Sequence, residues 1–392
     1  MMMNECYDIV IVGAGPAGST AARFAAMNGC SVLLLEKDRE IGVPVRCGEA
    51  VSEISLNKFF EVRSGWIANM IEGVRLIAPD GNVVTVNHPD GGYILNRKVF
   101  DQDLAQMAGA EGATIVTKAY VSDLIFADGK ICGVQVEHLG RTYQVRAKIV
   151  IGADGVESRV GRWAGLKTHV GLRDMESCVQ MTLSNIDIDR RYCDFYFSST
   201  LAPGGYVWVF PKDERSANVG LGVSGEYNRQ KPAIEYLNEF VDNTFPGASR
   251  LITVAGGVPC APFMKEIVHD GFMLVGDAAH QANPMTGGGI MASVIASRIA
   301  GETAAKAVKL NDVSQKALSE YPKKWNETGG IIHQRSYRLK EVVYKLTDDD
   351  LNRTAMKINK LKPEKRTITS IFKTALFNHP KLIPDIIKVF MS

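Results

Sequence analysis

The segment Gly13-Ala14-Gly15-Pro16-Ala17-Gly18 sets three glycines in a G-x-G-x-x-G pattern, and an acid, Glu36, follows 18 residues after the last of them. That spacing suits a pyrophosphate. Gly13 permits a tight turn, Gly15 lets phosphate approach the backbone, Gly18 lets a helix pack close behind, and a carboxylate at Glu36 can accept from ribose hydroxyls. Two later segments carry related chemistry, Gly152-Ala153-Asp154-Gly155 and Gly276-Asp277-Ala278-Ala279-His280, the second followed by Gly287-Gly288-Gly289. An Asp at the end of a strand can bond ribityl hydroxyls. A glycine-rich helix start turns backbone N–H groups and a positive dipole end towards an anionic ring edge. Together these requirements suit FAD better than a nicotinamide dinucleotide.

Strands and helices must hold these turns in place. Tyr7–Val12 alternates as a strand, a helix follows Gly18, and Ser31–Leu35 forms a second strand ending at Glu36, a βαβ unit. Ala147–Ile151 and Gly271–Val275 read as buried strands running into the other two turns, and Ile290–Lys306 reads as a helix. Between them, Cys178–Ser184, Tyr192–Phe197, Tyr206–Phe210 and Ala217–Val223 are β-rich runs separated by turn residues, an inserted antiparallel sheet. From Asp312 onward the pattern is helical. The fold class expected is α/β: a Rossmann-like FAD-binding domain (1–75, 92–165 and 252–306), an inserted β-sheet substrate domain (76–91 and 166–251) and a C-terminal helical region (307–392).

Composition bounds the functions. The chain has 392 residues, 46% hydrophobic and 22% charged, the makeup of an ordinary globular protein with a sizeable core. Its net charge of +2 gives no global basic field, so no nucleic-acid partner is expected. The distribution is uneven, because Leu351–Ser392 holds nine Lys/Arg against two Asp/Glu. Seven cysteines without a C-x-x-C pair point to reduced thiols and a cytoplasmic setting, and no metal site is expected. No stretch reads as a membrane span, so contact with a membrane would be peripheral, through the basic tail.

The order of the three glycine motifs resembles the FAD-dependent oxidoreductases of the p-hydroxybenzoate hydroxylase fold, and Arg97-Lys98-Val99-Phe100-Asp101 matches a further element in which the arginine reaches FAD. Two segments narrow the resemblance to the geranylgeranyl reductases. Pro44-Val45-Arg46-Cys47-Gly48-Glu49 is similar to the segment lying against their flavin, and Pro203-Gly204-Gly205-Tyr206-Val207-Trp208-Val209-Phe210-Pro211 matches their P-x-x-Y-x-W-x-F-P pattern at every fixed position. The resemblance implies FAD contacts at Gly13, Gly15, Ala17, Gly18, Glu36, Arg46, Cys47, Gly48, Ala50, Arg97, Val121, Asp154, Gly276, Asp277, Gly288, Gly289 and Ile290. It also implies saturation of the isoprenoid double bonds of archaeal geranylgeranyl ether lipids.

On a strand, Tyr206, Trp208 and Phe210 at i, i+2 and i+4 share one face, suited to an apolar chain. An isoprenoid alkene has no carbonyl to accept charge, so its reduction calls for a proton donor, with Cys47 the first candidate and Glu49 the second. Two other readings use the same features: a monooxygenase of this fold, or a non-enzymatic flavin- and lipid-binding electron carrier. No second nicotinamide fingerprint occurs, so the electron donor expected is a small ferredoxin-like carrier, with NAD(P)H the alternative.

Overall fold

A computed structural model describes residues 5–377. The chain divides into two compact units that alternate along the sequence. The first comprises the residues up to Val43, Arg97–Val170 and Pro259–Gln334; the second comprises Pro44–Asn96, Gly171–Val258 and the residues from Arg335 on.

The first unit is built on an eight-stranded sheet among the described residues. Its centre is parallel. Cys6–Val12 lies between Val32–Leu35 and Arg141–Gly152, with Thr114–Val116 and Phe272–Leu274 outside them. These strands are continuous apolar runs such as Ile9-Val10-Ile11 and Leu33-Leu34-Leu35, all buried, as a sheet covered on both faces requires. Ala119–Ala127 and Lys130–His138 extend the sheet as an antiparallel pair through Arg141–Gly152. The helix Pro16–Met27 starts with Pro at its first turn and is rich in alanine, so it packs closely against the helix Ile290–Lys309.

The second unit carries another eight-stranded sheet among the described residues. It contains the four inserted strands, as Met175–Ser184, Tyr192–Tyr196, Tyr206–Pro211 and Ser216–Ser224. Its pairings are not all antiparallel, because Tyr192–Tyr196 runs parallel to Ile67–Ile77. Val207 and Val209 point to one face and pack with Leu237, Phe240 and Val241 of the helix Ala233–Thr244. The alternate residues point to the other face.

The division differs from the boundaries drawn in sequence. Residues 44–75 belong to the second unit, because Ala50–Ser52 and Ile67–Ile77 both pair with Val83–Leu95. Residues 307–334 group with the first unit, where Tyr321 is fully buried and its hydroxyl donates to Leu274 O at 2.9 Å. The remaining C-terminal chain is helical, as Asp348–Asn359 and Ile368–Phe377. The end of the basic tail, with Lys381, Lys388, Ile383, Ile386, Ile387 and Phe390, lies outside the described residues. Among the described residues no helix is long and apolar enough to cross a membrane.

Candidate functional site

In the first unit the glycine turn closes as its spacing requires. Gly13 has φ +100°, and its N–H donates to Leu35 O at 2.8 Å. A Cβ on Gly13 would overlap Ala153 O, and one on Gly18 would overlap Gly13 O. Gly15 differs: apart from its chain neighbours, none of the described residues comes within 4 Å of the place where its Cβ would be. This open position sits at the N-terminus of the helix Pro16–Met27, where N–H groups and the dipole favour an anion. Glu36 braces the turn, accepting from the Ala14 N–H at 2.8 Å and the Asp38 N–H at 3.0 Å.

The other nucleotide-motif residues lie in the same unit. Ala17 meets Gly276, where an added Cβ would lie 2.8 Å from the alanine's own. Asp154 accepts from the Val160 N–H at 3.1 Å, while its buried Oδ1 has no hydrogen-bond partner among the described residues. Desolvation raises the Asp154 carboxyl above its ordinary pKa, against the backbone hydrogen bonds that lower it. Desolvation raises Asp277 as well, opposed by the charge of Arg97. Arg97 itself forms a two-pronged ion pair with Asp101, 2.7 Å on each arm. Gly289 caps the helix Ile290–Lys309, Gly288 donates to Thr286 Oγ1 at 3.3 Å, and Val121 is buried in Ala119–Ala127. Open space at Gly15, a positive helix end and an orphaned carboxylate oxygen fit a dinucleotide such as FAD.

In the second unit the register of three strands builds a wall. Phe210, Trp208 and Tyr206 pair with Asn218, Gly220 and Gly222, which pair in turn with Thr182, Gln180 and Cys178. Tyr206 and Trp208 have ring centroids 6.0 Å apart, and Trp208 and Phe210 are 6.2 Å apart. Phe195 from the next strand meets Tyr206 at 5.5 Å and Phe210 at 5.3 Å. Gly220 is the floor under Trp208, since any Cβ there would overlap the indole.

The segment containing Cys47 is fastened to this wall. Trp208 Nε1–H donates to Gln180 Oε1 at 3.0 Å, and Gln180 Nε2 donates to the Cys47 carbonyl at 3.0 Å. Gly48 lies so close to Phe210 that a Cβ would stand 2.7 Å from the ring. The Cys47 sulfur is half-buried and accepts from the Glu49 N–H at 3.2 Å. Glu49 is 3% exposed, and its Oε2 accepts from Lys212 Nζ and from Asn218 Nδ2, the latter at 2.6 Å. The Arg46 side chain runs past Gly256, with Cδ 3.5 Å from the Cβ position there, and Ala50 opens the strand paired to Ile94.

The predicted residues therefore fall into two groups, the nucleotide motifs in the first unit and Arg46 to Ala50 with the aromatic strand in the second. Sequence reasoning missed Gln180, Lys212 and Asn218. The signal for Asn218 was a lone amide inside an otherwise small and apolar strand, Ala217–Val223. It also missed Glu176, 6% exposed, whose Oε1 accepts from the Tyr344 hydroxyl at 2.6 Å. Burial pushes this carboxyl up to about 7, although the Tyr344 hydrogen bond and the Lys340 charge pull it down.

Comparison with known proteins places the chain among its relatives. Residues 174–258 match the family model of the geranylgeranyl reductase catalytic domain, and residues 7–200 match that of pyridine nucleotide-disulphide oxidoreductases. A solved geranylgeranyl bacteriochlorophyll reductase-like protein from Thermoplasma acidophilum superposes with a TM-score of 0.92 at 36% identity, covering 98% of this chain and 100% of that one. Digeranylgeranylglycerophospholipid reductase 1 of Methanococcoides burtonii is 44% identical, over 97% of this chain and 94% of its own. The digeranylgeranylglycerophospholipid reductase of Methanocella arvoryzae is 42% identical, over 98% and 99%. With that identity sustained along almost its whole length, the chain belongs to the digeranylgeranylglycerophospholipid reductase family.

Proposed function

We propose that the protein is an FAD-dependent reductase that saturates the isoprenoid double bonds of geranylgeranyl ether lipids such as digeranylgeranylglycerophospholipid. The observation that carries this reading is the aromatic wall: an unbroken row of Tyr206, Trp208 and Phe210 with the Cys47 segment bonded to it through Gln180. The names of the relatives agree with it. Such a wall offers a long alkyl chain contact area with few competing polar groups, and Trp208 satisfies its one polar atom on Gln180.

Bound FAD, once reduced, supplies the hydride equivalent. For this cofactor, Gly15 would leave the pyrophosphate its place, Glu36 would accept from ribose, and Asp154 and Asp277 would bond the ribityl hydroxyls. In this reading Arg97, the Gly288–Ile290 helix start and Val121 would also contact FAD, as would the Arg46–Ala50 segment that the sequence resemblance assigns to it. Cys47 holds the proton that the second alkene carbon needs. A thiol is mostly protonated at neutral pH, which suits a donor, and the wall keeps water from competing.

The electrons come from a small ferredoxin-like carrier, since the sequence holds no second dinucleotide fingerprint, and NAD(P)H is the other donor to test. The enzyme works at the cytoplasmic membrane face, where its substrate resides, with the lysines and arginines after Leu351 meeting anionic lipid. Mass spectrometry of an unsaturated archaeal ether lipid after incubation with dithionite-reduced protein tests the function. Two added hydrogens per double bond are expected. An added oxygen would replace the reading with a monooxygenase, and lipid retained but unchanged would replace it with a carrier.

A further inference from the structure

We infer that Lys212, Asn218 and the Glu49 carboxylate form a clamp that positions the Glu49 N–H on the Cys47 sulfur, making Glu49 a positioning residue; this rests on the reading of Cys47 as proton donor. Glu49 has φ +74°, a left-handed conformation that residues with a Cβ avoid unless their surroundings impose it. The surroundings here are specific. The carboxylate is almost fully buried, so it must be paired, and Lys212 and Asn218 pair it. Asn218 is itself fully buried, and Thr182 Oγ1 donates to its Oδ1 at 3.0 Å, which turns the amide nitrogen towards Glu49. The Leu95 N–H holds the Glu49 carbonyl at 2.8 Å. Side chain and carbonyl are thus both fixed, and the remaining backbone group, the N–H, donates to Cys47 Sγ at 3.2 Å.

That hydrogen bond has a chemical consequence. When Cys47 gives its S–H proton to one alkene carbon and the other takes the hydride that bound, reduced FAD would supply, the S–H bond and the alkene π bond break, two C–H bonds form, and a thiolate remains until water reprotonates it. An N–H on the sulfur favours the thiolate over the thiol, so it makes Cys47 the stronger acid. With its carboxylate oxygen engaged by a lysine and a buried amide, Glu49 is placed to support the thiol rather than to replace it.

The test reads the Cys47 thiol directly, as the pH dependence of its alkylation by iodoacetamide in FAD-loaded protein, followed at the Cys47 peptide by mass spectrometry. Single-turnover oxidation of reduced FAD by unsaturated lipid is the second readout. Lys212→Met and Asn218→Ala should each raise the Cys47 titration, with alkylation at neutral pH about tenfold slower. Turnover should slow in parallel while lipid affinity holds. Glu49→Gly and Glu49→Ala remove the same charge, but glycine accepts the left-handed backbone, so Glu49→Gly should titrate below Glu49→Ala and turn over faster. This variant also decides the matter if Asn218→Ala fails to fold. Parent-like thiol titration in Lys212→Met and Asn218→Ala would overturn the clamp, and so would Glu49→Gly and Glu49→Ala losing turnover equally. If the titrations shift as expected but the parent leaves lipid unreduced, the clamp stands and the proposed function falls.

Discussion

Replacing Glu176 by Gln should stabilise the protein at alkaline pH and do little at acid pH. The Glu176 carboxyl sits beside Asp174, Lys340, Tyr344 and Cys178, and burial holds it at about 7 rather than its ordinary 4.5. The native state then binds a proton that the unfolded chain has released, so stability falls as pH rises through that window and levels off above it. A shift of this size corresponds to about 3 kcal/mol at pH 8 and to less than about 1 kcal/mol at pH 5. Gln keeps the shape and can still accept from the Tyr344 hydroxyl, but it has no charge to bury. Urea unfolding of parent and Glu176→Gln at pH 5 and pH 8 reads the difference directly, because every other titrating group is common to both proteins. A parent–variant difference that stays constant between the two pH values would refute the burial argument.

Three further outcomes are expected. Gly15→Ala, at an ordinary φ of −69° with open space around it, should leave urea stability unchanged and weaken FAD retention, whereas Gly18→Ala should destabilise the fold itself; FAD absorbance per protein, set beside unfolding curves, separates the two. Glu36→Ala should loosen FAD by about 1.5–3 kcal/mol if the carboxylate bonds ribose, and equilibrium dialysis showing identical FAD content would remove that assignment. Trp208→Ala takes a 9% exposed indole off the wall and frees Gln180, at a cost of about 3–5 kcal/mol in stability, with the catalytic loss appearing in lipid affinity more than in single-turnover rate.

Much of this protein was legible in its sequence, because the relevant rules are local. A glycine at Gly13, an acid at Glu36 and apolar runs between them specify a βαβ turn within 30 residues, and the stripe Tyr206, Trp208, Phe210 shares a face because strands alternate with period two. The tertiary structure decided what those side chains lean on. Asn218 and Lys212 reach Glu49 from more than 160 residues away, Gln180 reaches Cys47 from 133 away, and Tyr344 meets Glu176 across 168. No periodicity encodes such pairings, since each depends on the register of one strand against another. The same holds for residues 44–75: their strands read alike in either unit, and only hydrogen bonding to Val83–Leu95 assigns them to the second. Sequence alone determined which backbone turns and faces exist, and strand pairing determined which buried charges meet their partners.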